Sequence, residues 1–356
     1  MARSRQGEQR FIKCVIWDLD NTLWQGVLLE DTKVFLRDDV RLVIERLDDR
    51  GILQSIASKN DPAEATNRLR EFGLLEYFLY PQINWNSKAS SIKAIAESLN
   101  IGLDALAFID DQRFELDDVA FSFPEVLCIS AMDLDHVLDM PEMNPRFVTL
   151  DSRLRRQMYQ SEIERKVEEE TFVGSKEEFL MTLGMIFGIG SAREDDLQRA
   201  EELTVRTNQL NSTGYTYSYE ELDWFRQSQS HKLLISSLED KYGSYGKIGL
   251  GLLELTEDAW IIKLLLMSCR VMTRGVGTVF LNYIMSAAKK KGVKLLAEFA
   301  PNNRNRMMQI SYKFAGFRER ETKGDLIILE NDLERIQPPP DYITVRIEEE
   351  PGNSHL

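Results

Sequence analysis

Cysteine and histidine are scarce in this chain, three of each in 356 residues. Cys14, Cys128 and Cys269 stand far apart and none belongs to a Cys-x-x-Cys pair, which argues against a disulfide framework and a structural zinc site. His136, His231 and His355 are equally scattered. Positive charge is also short: 44 Lys and Arg stand against 58 Asp and Glu, a formal net charge of −14. That balance argues against nucleic acid and anionic membranes as main partners, and an acidic partner would need a local basic patch. Long apolar runs are missing too. None reaches membrane-spanning length, and Met1–Arg10 is polar without a signal-peptide core, so the expectation is a soluble cytoplasmic protein. What is present is a hydrophobic share of 43%, ample for two cores, in a length that suggests two domains.

The most informative stretch is the apolar run Phe11-Ile12-Lys13-Cys14-Val15-Ile16-Trp17, followed at once by Asp18-Leu19-Asp20-Asn21-Thr22-Leu23-Trp24. In an extended chain Asp18 and Asp20 project to the same side, because side chains alternate with a period of two. One carboxylate can then attack phosphorus while the other passes a proton to the leaving oxygen. The competing reading is an Asp-rich turn after a buried strand, and this stretch alone leaves the two about even.

Three further segments favour the chemical reading. Gly51–Asn60 is a second apolar strand, and it ends in Ser58, Lys59 and Asn60, a hydroxyl, an amine and an amide suited to phosphate oxygens. Lys88 opens a helical pattern through Ile92, Ile95, Ala96 and Leu99, where it can place a point charge on a transferring phosphoryl group beside a helix N-terminus. Leu106-Ala107-Phe108-Ile109 leads into Asp110-Asp111, a third strand with acids at its exit. Clustered oxygen-only ligands suit Mg²⁺.

This order of motifs resembles the haloacid dehalogenase superfamily of phosphotransferases. The resemblance implies Asp18 as nucleophile and metal ligand, Asp20 as acid/base, and Ser58 and Lys88 as phosphate binders joined by Lys59 and Asn60. It implies Asp110 as the second metal carboxylate, with Asp20 and Asp111 completing the Mg²⁺ set. Only about thirty residues separate Asp20 from the second strand, too few for a cap domain once a helix through Val40–Leu47 is subtracted. The expected fold is therefore α/β, with an uncapped, Rossmann-like parallel sheet open to bulky substrates.

Prolines at Pro141 and Pro145 interrupt the pattern and set a boundary. The reading is a phosphatase-like domain over 8–145, a charged linking helix over 146–170, a second domain over 171–336, and a polar tail over 337–356, loose on the surface after Pro338-Pro339-Pro340. The second domain reads as a strand (Met185–Ile189), a helix (Asp195–Thr207), strands over His231–Leu238, Ile248–Leu255 and Trp260–Ser268, a Gly-containing loop and a helix (Val279–Lys291). A strand (Val293–Phe299), a helix (Arg306–Phe314) and a last strand (Asp325–Leu329) follow.

Cys269-Arg270-Val271-Met272-Thr273-Arg274-Gly275-Val276-Gly277-Thr278 lies between a strand and a helix, so its backbone N–H groups can bind a pyrophosphate or a pantetheine phosphate. Together with Tyr312-Lys313-Phe314-Ala315-Gly316-Phe317 it resembles the acyl-CoA-binding core of the GCN5-related acetyltransferases, which implies a mixed α/β domain. Met272 stands where a basic residue is usual. Cys269 reads either as a small buried residue or as a thiol activated by Arg270 and Arg274. Cys14 lies four residues before Asp18, roughly 13 Å away at about 3.3 Å per residue, and reads as core packing. In Arg206-Thr207-Asn208-Gln209-Leu210-Asn211, Asn208 and Gln209 read either as a helix exit or as polar contacts for acyl or pantetheine amides.

Both halves together resemble the FkbH-like family of polyketide biosynthesis, on Cys14–Trp24, Ile56–Asn60, Phe108–Gln112, Arg206–Asn211 and Ser268–Val271. The resemblance implies a bifunctional glyceryltransferase/phosphatase. Such an enzyme would take D-1,3-bisphosphoglycerate, hold the acyl group on Cys269, and load glycerate on a phosphopantetheinylated acyl carrier protein, with Arg270, Arg274, Gly275 and Gly277 at the acyl or pantetheine arm. Arg113, Leu116 and Ser244-Tyr245-Gly246 depart from the family pattern. Two other expectations stand beside it: a Mg-dependent phosphatase with a non-catalytic protein-binding module, and a phosphatase-like domain fused to an acyl-CoA N-acyltransferase.

Overall fold

The computed structural model describes residues 10–348. The reading of Met1–Arg10, apart from Arg10, lies outside the described residues, as do His355 and the last part of the expected tail. The chain divides into two compact units between Ile163 and Glu164.

The first unit is built on a parallel sheet. Its elements are β1 (Cys14–Trp17), β2 (Trp24–Gln25), β3 (Phe35–Leu36), α1 (Val40–Asp49), β4 (Leu53–Ser58), α2 (Pro62–Glu71), β5 (Gln82–Ile83), α3 (Lys88–Leu99), β6 (Leu106–Asp110), α4 (Arg113–Ser122) and β7 (Leu127–Ser130). The strand order is β5-β4-β1-β6-β7, all pairs parallel. Every residue of β1, β4 and β6 is buried, as strands covered by helices on both faces must be; β1 and β6 are near-continuous apolar runs, whereas β4 also buries Gln54, Ser55 and Ser58. Fully burying one such side chain is worth about 1.5–3 kcal/mol. The chain moves outward from β1 to β4 and β5, then returns to place β6 on the other side of β1. This makes the carboxyl ends of β1 and β6 the switch point at which open α/β sheets bind ligands. Between Asp20 and β4 there is only the small β2–β3 hairpin and α1, so the sheet is uncapped as expected.

Local signals fix the helix starts near that edge. Asp61 caps α2 by accepting from Ala63 N and Glu64 N at 2.9 Å, with Pro62 at the first helical position. Ser87 caps α3 by accepting from Ser90 N at 3.2 Å, which sets Lys88 as the first helical residue.

The boundary region is more helical than a plain linker. α5 (Leu150–Arg153) and α6 (Arg155–Thr171) follow, and the division between the units falls inside α6.

The second unit contains α7 (Lys176–Thr182), β8 (Met185–Ser191), α8 (Leu197–Arg206), α9 (Tyr219–Gln227), β9 (His231–Asp240), β10 (Gly243–Leu255) and β11 (Ala259–Met267). It continues with α10 (Val276–Lys291), β12 (Lys294–Phe299), α11 (Arg306–Phe314), β13 (Arg318–Lys323), β14 (Leu326–Asn331) and β15 (Ile343–Glu348). The mixed sheet runs β13-β14-β12-β11-β10-β9-β8-β15, with β11–β12 and β8–β15 parallel and the other pairs antiparallel. Its two faces carry separate cores, one around Phe187, Phe280, Phe299 and Tyr312, the other around Leu197, Leu203, Leu250 and Leu264.

One expectation is corrected here, and one strand is added to the sequence reading. The tail is not loose throughout, because Ile343–Glu348 pairs with Met185–Gly190 and extends the sheet. The Pro run turns the chain, and the alternation of Ile343, Val345 and Ile347 then suits a strand. Arg318–Lys323, unassigned from sequence, is a wholly exposed and charged edge strand, a composition that protects an edge from further pairing.

Candidate active site

The strand ends of the first unit and the start of α3 bring Asp18, Asp110, Asp111 and Lys88 together. Lys88 Nζ donates to Asp18 Oδ1 and, at 2.8 Å, to the Ala57 carbonyl, and it lies 3.2 Å from Asp110 Oδ2. Asp18, Lys88 and Asp110 are all buried. Carboxylate oxygens of Asp18, Asp110 and Asp111 lie within 4.8 Å of one another. Asp110 Oδ1 accepts from Gln112 N at 2.8 Å, whereas Asp110 Oδ2 and Asp111 Oδ1 are buried without a hydrogen bond.

The electrostatics follow from this crowding. Burial, and then the Asp18 charge, push the Asp110 carboxyl up to about 7. Asp111 is raised by the same two causes. Burial works against the Lys88 ammonium, but Asp18 and Asp110 outweigh it and raise its pKa. A largely buried cluster of three carboxylates, with oxygen donors only, Asp111 Oδ1 lacking a hydrogen bond and a single neighbouring ammonium, fits a hard divalent cation. Mg²⁺ matches that donor set, since it needs few protein carboxylates beside phosphate and water. Asp18, Asp110 and Asp111 are the residues placed to hold it.

Not every expected residue points into the cluster. Asp20, expected among the metal carboxylates, stands outside it. Its Oδ1 accepts from Trp24 Nε1 at 2.8 Å and Leu28 N at 3.0 Å, and its Oδ2 accepts from Asn60 Nδ2 at 2.9 Å. Burial raises its pKa first of all. Asn60, expected on phosphate, thus serves Asp20. Lys59 turns to Glu115 at 2.5 Å, a carboxylate in the first turn of α4. Ser58 is buried at the end of β4, beside the strand that carries Asp18. Sequence reading missed the parts played by Trp24 and Glu115. A tryptophan four residues after Asp20 is the only available signal for the first.

In the second unit Cys269 is partly exposed at the start of a single 3-10 turn after β11. Arg270 Nη2 donates to the Tyr245 carbonyl at 2.9 Å, and buried Arg274 lies 3.3 Å from Glu169 Oε2. Each guanidinium therefore has work away from the thiol. Gly275 begins α10 in the left-handed region, where a Cβ would sit 3.0 Å from Tyr342 Oη, and a Cβ at Gly277 would meet only Met267. Asn208 and Gln209 are half-buried in the turn after α8.

The β11–β12 register ends at Ile262 and Ala297 while both strands run on. Leu210–Ser212 fills the gap. Ser212 N donates to Leu265 O at 2.9 Å, Leu265 N to Ser212 Oγ at 3.0 Å, Met267 N to Leu210 O at 2.9 Å and Ala300 N to Ser212 O at 2.9 Å. Burial pushes the Cys14 thiol far up and the Cys128 thiol to about 11, so neither carries an accessible thiolate near neutrality.

The first unit therefore has the form of a phosphoryl-transfer site at the switch point of an open α/β sheet. No family model matches the chain. It is 31% identical over 132 residues to human magnesium-dependent phosphatase 1, covering 31% of this chain and 74% of that protein. On that relation the chain belongs to the haloacid dehalogenase-type magnesium-dependent phosphatases.

A solved N-terminal part of a Bacteroides fragilis protein, containing a phosphatase domain complexed with Mg, shares 29% identity at a TM-score of 0.35. The match covers 39% of this chain and 41% of that one, so less than half of that structure's chain is represented here. The ribosomal-protein-S18-alanine N-acetyltransferase from Escherichia coli matches at 17% identity and a TM-score of 0.33, over 41% of this chain and 92% of that one. Among the described residues no helix is long and apolar enough to cross a membrane.

Proposed function

We propose that the chain is a bifunctional enzyme that transfers the glyceryl group of D-1,3-bisphosphoglycerate to the pantetheine thiol of an acyl carrier protein and removes the phosphate, supplying a three-carbon unit for polyketide assembly. The observation that carries the phosphatase half is the buried cluster of Asp18, Asp110 and Asp111 around Lys88. Asp18 attacks phosphorus and Asp20 protonates the departing oxygen. Water then cleaves the aspartyl phosphate, with Asp20 as base. Mg²⁺ held by Asp18, Asp110 and Asp111 would supply charge neutralisation at the phosphoryl oxygens. Lys88 adds a second positive charge and fixes the orientation of Asp18.

For the acyl half, an acyl phosphate is already activated. The Cys269 thiolate adds to its carbonyl carbon, the 1-phosphate leaves with the C–O bonding pair, and the 3-phosphoglyceryl group rests as a thioester; hydrolysis at the Asp18 site removes the 3-phosphate, and the carrier thiol displaces Cys269. An acidic carrier could dock on Lys289, Lys290 and Lys291 at the end of α10. Support for this half is the partial exposure of Cys269, set against two buried or high-pKa cysteines elsewhere.

A second reading, a phosphatase with a non-catalytic binding module, is favoured by the engagement of Arg270 and Arg274 with other groups and by the chain segment on the edge of β11. Mixing the protein with D-1,3-bisphosphoglycerate, Mg²⁺ and a phosphopantetheinylated carrier, then recording intact masses, separates the two. Glyceryl on the carrier supports the first. Phosphate release without any carrier adduct supports the second.

A further inference from the structure

The arrangement around Asp20 is more specific than an acid/base residue by itself requires. A carboxylate offers about four lone-pair sites. Trp24 Nε1 and Leu28 N occupy those of Oδ1, and Asn60 Nδ2 occupies one on Oδ2, which leaves a single site, on Oδ2. Trp24 and Asn60 are both fully buried. The Trp24 ring packs against Phe72 with centroids 6.1 Å apart, and the Asn60 amide oxygen accepts from Asp61 N at 3.0 Å, which turns its NH₂ group toward Asp20. Apolar packing at position 24 has no need of an indole N–H.

We infer that Trp24 and Asn60 are positioning residues that hold Asp20 with Oδ2 as the atom that relays the proton, an inference that rests on the phosphatase reading above. In the first half-reaction an Asp18 oxygen bonds to phosphorus. The bond from phosphorus to the substrate oxygen breaks with its electron pair on that oxygen, and the proton on Asp20 Oδ2 passes to it. In the second half-reaction a water oxygen bonds to phosphorus and gives a proton to Oδ2, and the bond to Asp18 breaks with its electrons returning to the carboxylate.

Misplacing Oδ2 therefore matters in proportion to how poor the leaving group is. An alkoxide needs the proton as it departs, and a nitrophenolate departs without it. Packing damage, in contrast, slows both substrates together.

The test uses the full chain with Mg²⁺ and compares kcat/KM for glycerol phosphate with kcat/KM for p-nitrophenyl phosphate in Trp24→Phe and Asn60→Ala. The expected result is that the alkyl-to-aryl ratio falls by about 10- to 100-fold in each variant, the lower range of general acid catalysis. In an Asp20→Asn background the added Trp24→Phe should leave the ratio where Asp20→Asn put it. A wild type that hydrolyses neither phosphate rejects the phosphatase reading itself. An active wild type whose ratio stays put in both variants overturns the positioning role and leaves Trp24 and Asn60 as packing. A shift in one variant alone assigns the role to that donor and removes it from the other. If melting shows Trp24→Phe unfolded, Asn60→Ala carries the same comparison.

Discussion

Asp110 and Asp240 are both buried aspartates beside a basic side chain, yet their surroundings are opposite. Asp240 accepts from Arg165 Nε at 2.7 Å and Nη2 at 2.8 Å, from Tyr245 Oη at 3.0 Å and from Tyr242 N at 2.9 Å. The Arg165 guanidinium also lies 4.0 Å from the centroid of the Tyr245 ring. Asp110 keeps one oxygen without a hydrogen bond and faces Asp18 and Asp111. The first arrangement is complete and holds the Glu164–Thr171 part of α6 to the β9–β10 hairpin. The second sets one ammonium, Lys88, against the three carboxylates of Asp18, Asp110 and Asp111, and that shortfall of positive charge is what a cation can fill. Burial of charge alone therefore does not mark a site, whereas burial with unmet demand does.

The sharpest way to break this contrast is Asp18→Asn. An amide keeps the shape but is a poor nucleophile and a weaker Mg²⁺ ligand, so phosphate release should fall by about 10³-fold or more. Circular dichroism should show an intact fold. Phosphate release at the wild-type rate would remove Asp18 from the reaction.

Next in size is Cys269→Ser, which asks whether the second unit holds chemistry of its own. A hydroxyl has far less anion than a thiol near neutrality, so the enzyme-bound acyl mass after mixing with D-1,3-bisphosphoglycerate should disappear, while Cys14→Ser should retain it. Peptide mapping of the adduct to Cys14 or Cys128 would sink the assignment.

Arg165→Met tests the completed pair. It strands Asp240 in the interior, and breaking one partner of such a pair costs about 3–5 kcal/mol, measurable as a large drop in the denaturation midpoint. Lys88→Met should behave differently, losing phosphatase activity with a smaller stability loss, because Asp110 can take up a proton in place of the missing ammonium. Equal stability losses in the two variants would erase the distinction between the clusters.

How much of this was legible in the sequence follows the same division. Asp18, Asp110 and Lys88 could be read as neighbours because each stands at the end of a buried, mainly apolar strand or opens a capped helix, so local pattern and position coincide. Arg165 and Asp240 are 75 residues apart and sit in charged or turn-like contexts, which carry no local mark of pairing. Trp24 reads as core in any pattern-based scheme, because its ring is core, and only its N–H does anything else. β13 is hidden by its charges and β15 by the prolines before it. The Leu210–Ser212 segment, which bridges β11 and β12, has the composition of an ordinary helix exit.

The smallest expected effect concerns pH and metal at the incomplete cluster. Asp110 has a folded-state pKa raised to about 7, by burial first and Asp18 second, above its ordinary value of about 3.9. Between those values the folded state binds more protons than the unfolded one, so stability falls as pH rises from about 4 to about 7 and levels off above. Mg²⁺ competes with that proton for the same oxygens. Thermal stabilisation by millimolar Mg²⁺ should therefore be a few degrees at pH 8 and nearly absent at pH 5.5, on the scale of about 1–2 kcal/mol for a ligand in modest excess over its dissociation constant. Asp110→Asn should flatten both the pH dependence and the response to Mg²⁺. Arg165→Met should leave the Mg²⁺ increment in place while lowering the whole melting curve. A Mg²⁺ increment of equal size at pH 5.5 and pH 8 in the wild type would mean that Asp110 is not the group that gives up its proton to the metal.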